Sequence, residues 1–288
     1  MRTIMFTTLA LIAFAANSLL CRLALAQPVI DAASFSLIRL ASGAITLWFI
    51  VAISHPKNSQ KPAKYFDGNW LSACMLFLYI VGFSFAYLSL SAGVGALILF
   101  GAVQATMQLA ALVSGERPYQ VEWLGLLFAL TGLVYLVMPG FTAPPLLGAT
   151  FMAMAGVAWG VYSLRGRHVT SPLFETTGNF IRAVPLVMIV FIVAMAFKKT
   201  HISAAGALPA ILSGTLASGV GYSIWYAALR GLSATRAATL QLLVPLMAAG
   251  GGIIFLSESV SLRLVVAAIM ILGGVSLAVL GREYLIRR

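Results

Sequence analysis

The chain has 288 residues, 61% of them hydrophobic and only 9% charged, against roughly 25% charged in a soluble domain. A net charge of +11 would suggest nucleic acid as the partner of a soluble protein. Here the basic residues sit mostly at the ends of apolar runs and in loops, where they orient a membrane protein, so neither a soluble enzyme nor a nucleic-acid binder is expected.

Ten apolar runs are predicted to span the membrane as helices: 4–25, 32–53, 69–90, 94–114, 121–137, 146–164, 173–196, 208–229, 234–256 and 262–280. Each approaches the roughly 20 residues that carry a helix across about 30 Å of hydrocarbon. The seventh is interrupted by Asn179, Arg182 and Pro185. Arg2, the first run and Ala24-Leu25-Ala26 mimic a cleavable signal, but removing them would leave the sixth run without a counterpart. The first run is therefore read as a span. With ten spans, twelve Lys and Arg fall on the side of the N-terminus and four on the other, which places both termini in the cytoplasm; the membrane expected is the cytoplasmic (inner) one. Cys21 and Cys74 then lie near opposite membrane faces, too far apart for a disulfide.

The second half repeats the first. An offset of 142 pairs Ser91 with Ser233, Ala92 with Ala234, Ala96 with Ala238, Glu116 with Glu258 and Gly132 with Gly274. Nearer the start of each half, an offset of 143 pairs Ala15 with Ala158, Arg22 with Arg165, and Ile38-Arg39 with Ile181-Arg182. Arginines are scarce inside apolar runs, so two matched pairs carry weight. Five spans per copy is an odd number, so the copies enter the membrane in opposite directions. The expected fold is an all-α membrane protein of ten transmembrane helices in two inverted five-helix repeats, 1–140 and 141–288, an arrangement that suits alternating access around a midplane site.

The punctuation of the repeats resembles the drug/metabolite transporter superfamily, in particular permeases with two EamA-type repeats. The resemblance rests on Trp159-Gly160; Arg39 and Arg182; Leu90-Ser91-Ala92 and Leu232-Ser233-Ala234; Pro245; Glu116 and Glu258; and Gly132 and Gly274. In the first repeat Ala16-Asn17 stands where Trp-Gly is usual, and Val103 where a Pro is common. The resemblance implies a central cavity surrounded by the first four helices of each repeat, with the fifth helices supporting it, and outward transport of amino acids, metabolites or drugs. The departures imply a cavity that differs chemically between its two sides.

Several polar and aromatic side chains are candidates to line that cavity. Gln104 and Gln108 are one helical turn apart and share a face, which must meet either a cavity or another helix because hydrocarbon does not satisfy an amide. Gln241, one turn before Pro245, stands in the same position. Ser218, Tyr222, Trp225 and Tyr226 form a polar-aromatic face on the eighth run, with Tyr226 open between cavity and interfacial anchor. Trp159, Tyr162 and Ser163 repeat the pattern on the sixth, and Tyr79 with Phe83 on the third, where packing accounts for Phe83 equally well. Asn17 sits mid-membrane, either to hold a substrate carboxylate or to tie helices together.

The other candidates are gating or structural. Arg39 lies within about two turns of its helix end, within reach of the interface, and Arg182 lies deeper. Their matched positions favour structural work, such as holding backbone carbonyls at gates, over substrate contact. Pro245, followed by Gly250 to Gly252, marks a helix that can bend or pack closely. Glu116 and Glu258 are expected to cap or pair at helix ends, with Arg117 or Arg263 as partners. The acidic residues all lie away from mid-span, so a carboxylate proton relay lacks its parts and transport is passive, exchange-driven or coupled by other means.

No metal or cofactor is expected, and no HExxH, GxSxG or complete phosphate loop supports an enzyme. The reading is a permease or exporter for a small organic metabolite, amino acids or related compounds among them. It would work in the lipid bilayer as a monomer or weak homodimer. The alternative is a non-transporting membrane scaffold or assembly partner, which needs no polar pocket at mid-depth.

Overall fold

The ten apolar runs become ten helices in the computed structural model, which describes residues 2–27, 29–54, 67–113, 120–138, 143–166, 169, 171–229, 240–241 and 243–286. In chain order they are α1 Arg2–Leu25, α2 Ala32–Ser54, α3 Trp70–Ala86, α4 Ala92–Val113, α5 Gln120–Val137, α6 Leu146–Gly166 and α7 Pro172–Ala196. Helix α8 runs through Ala204–Leu212, a π-helical stretch Ser213–Val220, and Gly221–Leu229. The last two are α9 Leu243–Leu256 and α10 Leu262–Ile286. Six helices contain apolar stretches of 19 to 24 residues, long enough to cross a membrane. Among the described residues there is no strand, only an isolated bridge between Ile30 and Ile202.

Side-chain caps explain several boundaries. Helix α8 starts four residues before the expected 208 because the Ser203 side chain accepts the Gly206 N–H. Asn69 caps α3 by accepting from the Ser72 N–H, and Asp31 caps α2 by accepting from the Ser34 N–H at 2.9 Å. Helix α7 continues through Pro185. Residues 234–239 of the expected ninth span lie outside the described residues.

Packing is reciprocal between the halves. Helices α5 and α10 pair with each other, as do α2 with α7 and α4 with α9. Six further cross-pairs come in twos: α3 with α6 and α1 with α8; α4 with α6 and α1 with α9; α3 with α7 and α2 with α8. Exchanging helices 1–5 for 6–10 returns these pairs, and the contact of α4 with α10 stands outside the symmetry.

Small residues make these approaches possible. A Cβ on Gly132 would lie 2.6 Å from the Met270 Cβ, and one on Gly274 would lie 2.5 Å from the Gly125 carbonyl oxygen, so α5 and α10 each need the glycine that the other faces. Gly156 brings α6 onto α4 in the same way, with the Leu99 carbonyl 2.5 Å from where its Cβ would stand. The outer surface is apolar: Ile254 and Phe255 are each 74% exposed, which suits lipid and not water.

The connections gather at two ends of the bundle. At the odd end, where the odd-numbered helices finish, Asp31 accepts from the His201 N–H at 2.8 Å and the Arg263 guanidinium donates to the Met138 carbonyl at 2.6 Å. At the even end, Arg165 donates to Ser72 and Asn69, both at 3.0 Å, and the Asn69 N–H donates to Asn179 at 3.0 Å.

Two glycine substitutions test this packing. A Cβ at Gly214 would collide with the Ser42 hydroxyl and the Arg39 carbonyl, whereas Gly250 has open space beside it. Gly214→Ala is expected to cost about 1–3 kcal/mol through overpacking. Gly250→Ala is expected to be neutral or to stabilise by about 0.5–1 kcal/mol. Thermal unfolding of the purified protein in detergent checks both.

Candidate functional site

Helix α8 widens into its π stretch where it crosses α1 and α2. Single-turn π segments inside α-helices are frequent at functional sites. The stretch carries Ser213 and Ser218, both buried, to the centre of the bundle. The Ser213 hydroxyl donates to the Asn17 side-chain oxygen at 2.5 Å, and the Asn17 amide donates to the Tyr79 hydroxyl at 3.4 Å. That same Tyr79 oxygen accepts from Arg39 Nη2 at 3.2 Å, and Ser218 Oγ accepts from Arg39 Nε at 3.3 Å. Four helices thus meet in one polar chain.

An aromatic cluster surrounds it. Trp159 of α6 sits between two tyrosines, its ring centroid 4.9 Å from Tyr79 of α3 and 5.1 Å from Tyr222 of α8. Tyr162 stacks on the same Trp159 at 5.6 Å. Phe14 meets Tyr222 at 5.9 Å and Trp225 at 5.6 Å, while Phe180 closes on Tyr222 at 5.8 Å. Tyr79 and Tyr222 are 143 residues apart, the offset that also relates Arg39 to Arg182. The sequence carries that signal in the offset itself, not in the aromatic pattern of either helix. Phe14 and Phe180 gave no such signal, being ordinary members of apolar runs.

The structure therefore brings together Asn17, Tyr79, Trp159, Tyr162, Tyr222 and Trp225. Gln104 is buried on α4 and Gln108 half-buried one turn on. Gln241 is half-buried just ahead of α9. The aromatic residues do not border an open space at mid-depth: Trp159 is 8% exposed, Trp225 6%, Tyr79 5% and Tyr222 4%. The physical reason is ring width, since side chains from α3, α6 and α8 are long enough to touch one another across the bundle centre. A cleft of about 10 Å³ at the even end, room for about one water, reaches Tyr162 past Ser72, Thr176 and Asn179. A larger groove of about 690 Å³ lies at the odd end beside Asp31 and His201 and touches none of the cluster.

The two arginines exchange the places expected of them. Arg39 is fully buried, stacked 5.3 Å from the Tyr79 ring centroid and 4.9 Å from that of Phe83. Arg182, deeper along its helix, is half-buried and donates to the Asp67 and Gly178 carbonyls at 2.9 and 3.0 Å. Depth along a helix does not fix where a long side chain points, and α7 turns Arg182 toward the even end. Carbonyl-holding thus describes Arg182 but not Arg39. Insertion scales put a central arginine at a cost of about 2.5–3.5 kcal/mol, so Arg39 is the most expensive side chain in the cluster.

At the odd end Glu258 does two things. Both its carboxylate oxygens accept from the Ala92 N–H, at 3.1 and 2.9 Å, which caps the start of α4. One of them also pairs with Arg22 Nε at 3.2 Å, while Arg22 Nη1 donates to the Tyr87 carbonyl at 3.0 Å. The partner is Arg22, not the expected Arg263, whose guanidinium is committed to Met138 and lies 5.8 Å from the Tyr135 ring centroid. Glu258 reaches back because Ser257 adopts a left-handed backbone, φ 52°, and the Glu258 N–H returns to the Gly252 carbonyl at 3.0 Å. Glu116 and Arg117 lie outside the described residues. Pro245 is buried in α9, Gly251 packs on Leu19 and Gly252 on Glu258, so two of the three glycines serve close approach.

This clasp makes a sharp prediction. Glu258→Ala is expected to cost about 1–3 kcal/mol by removing both the cap and the ion pair. The exchanged double variant Arg22→Glu with Glu258→Arg should not recover that loss, because an arginine cannot accept the Ala92 N–H. Thermal unfolding midpoints of the two variants and the unaltered protein decide; recovery by the exchange would mean that charge pairing alone matters.

Known proteins place this architecture. The EamA-like transporter family model matches residues 146–280, which contain α6 to α9 and most of α10. The chain is 46% identical over 277 residues to the uncharacterized protein PA1977 of Pseudomonas aeruginosa, covering 96% of this chain and 94% of that one. A solved crystal structure of a protein 17% identical superposes with a TM-score of 0.66 over 96% of this chain and 98% of its own, which shows a shared fold. The chain belongs to the EamA-like transporter family of the drug/metabolite transporter superfamily, as a multi-pass membrane protein.

Proposed function

We propose that the protein is a permease of the cytoplasmic membrane that moves a small organic metabolite by alternating access, with the aromatic cluster as its binding site. The observation that carries this reading is the pair Tyr79 and Tyr222, equivalent under the internal offset and flanking Trp159 where both halves meet. A site shared by two similar halves is what inverted repeats provide, and the reciprocal helix packing supports the division at residues 140 and 141. Both termini are assigned to the cytoplasm by the excess of Lys and Arg on their side. The even end is then cytoplasmic, and the Arg22–Glu258 clasp holds the outer end closed.

Passage requires Trp159 to leave the gap between the tyrosines. Aromatic faces with a few hydroxyls and amides suit small amphipathic molecules, which keeps amino acids and related compounds among the candidates and export as the expected direction. Asn17, Tyr162 and Trp225 complete the site, and Gln104, Gln108 and Gln241 are assigned to its approaches.

The test begins with strains lacking or overproducing the protein, screened for sensitivity to amino acids, their analogues and toxic metabolites. Uptake of each positive compound into proteoliposomes follows. Trp159→Leu and Tyr222→Ala are expected to reduce uptake about tenfold or more at unchanged protein levels, as loss of a desolvated aromatic contact does at a binding hot spot. Wild-type rates in both variants would remove the cluster from the pathway, and absence of uptake for every compound would favour a scaffold.

A further inference from the structure

We propose that the central site binds a carboxylate through Arg39, and that the transported molecule is a small organic monoanion with an apolar or aromatic body. This deepens the permease reading and rests on it. Arg39 is fully buried, yet no carboxylate answers it: the one ion pair among the described residues joins Arg22 to Glu258 at the odd end. Among the described residues its Nε and Nη2 reach only neutral hydroxyls, those of Ser218 and Tyr79, and its Nη1 is buried with no hydrogen-bond partner.

The rings of Tyr79 and Phe83 stabilise the positive charge but accept nothing from the Nη1 N–H groups. A purely structural arginine would look like Arg182, whose guanidinium rests on two backbone carbonyls. Arg39 instead leaves free one corner of a planar fork that matches a carboxylate. Hydroxyls also turn, so Tyr79 and Ser218 can donate to an anion seated beside Arg39, and the Asn17 amide already points at the Tyr79 oxygen.

The charge count selects the ligand. Arg22, Arg165 and Arg182 make their bonds at the ends of the bundle, so the cluster offers one positive charge. One guanidinium balances a monoanionic carboxylate and leaves a phosphate dianion half-answered. Among the described residues Asp31 bonds to Ser34 and the His201 backbone, Glu258 to Arg22 and Ala92, and Glu175 accepts from Asn69 at the even end. None is offered to a ligand ammonium in the cluster. A plain carboxylate should therefore bind better than the matching zwitterion, and an amine not at all.

The experiment uses the full chain in detergent with 3-phenylpropionate, phenylalanine, 3-phenylpropanamide and 3-phenylpropylamine as probes, read by thermal midpoint and tryptophan fluorescence. The expected result is saturable stabilisation by 3-phenylpropionate, less by phenylalanine, and none by the amide or the amine. Arg39→Gln should weaken 3-phenylpropionate binding ~tenfold or more, as removal of a charge-assisted contact does, with Arg39→Lys intermediate. The unliganded midpoint of Arg39→Gln should be unchanged or higher, because a buried charge without a counter-ion is gone.

Equal effects of the carboxylate and its amide, no binding of the carboxylate, or undiminished carboxylate binding in Arg39→Gln would each overturn the proposal. Where Arg39→Gln does not fold, the wild-type series and Arg39→Lys decide alone. Uptake into proteoliposomes separates the two readings. Transport of neutral or cationic solutes that needs Trp159 but not Arg39 would leave a permease without an anion site. Carboxylate binding without uptake of any solute would leave the site without a permease.

Discussion

A charge held away from water has to be answered by its surroundings, and the interior of this bundle is arranged around one such charge. The Arg39 guanidinium lies among two hydroxyls and two ring faces with no acid beside it. Hydrocarbon would reject it at a cost of about 2.5–3.5 kcal/mol, and two long hydrogen bonds with two cation–π contacts offset much of that. The serines that help come from a π stretch, whose Gly214 lets α8 close onto the Arg39 backbone. The cost, the local helix geometry and the small residues belong to one arrangement.

Around this centre the two halves treat equivalent residues differently. Tyr79 and Tyr222 flank the same tryptophan, but Arg39 bonds to Tyr79 while Arg182 turns to backbone carbonyls at the even end. Arg22 joins an ion pair that caps α4, while its counterpart Arg165 bonds to Asn69 and Ser72. Under the proposed alternating access such differences would mark one of two conformations, since exchanging the halves' arrangements would exchange the ends. On that view the clasp at Glu258 is a contact to be broken, and its partly exposed geometry keeps the barrier modest.

Much of the fold could be read from the chain because the membrane sets a length. Ten runs of suitable size gave ten helices, and the paired glycines 132 and 274 proved to be the points where α5 and α10 meet. Side-chain direction was less legible. Arg39 looked close enough to its helix end to reach the interface, yet it turns inward; Arg182 looked deep, yet it turns to an end. The π stretch left no trace because Ser213 to Val220 is made mostly of small residues that fit any helix. Glu258 was recognised as a capping or pairing residue, but its partner Arg22 lies 236 residues away, a contact that local pattern cannot supply.

The central claim is that the packed aromatic cluster opens toward each membrane face in turn. The most direct measurement places a single cysteine at position 222, with Cys21 and Cys74 replaced by serine, in sealed vesicles of both orientations, and follows its reaction with a membrane-impermeant thiol reagent. The account predicts labelling from both sides. Labelling from neither side, or from one side alone under all conditions, would contradict it.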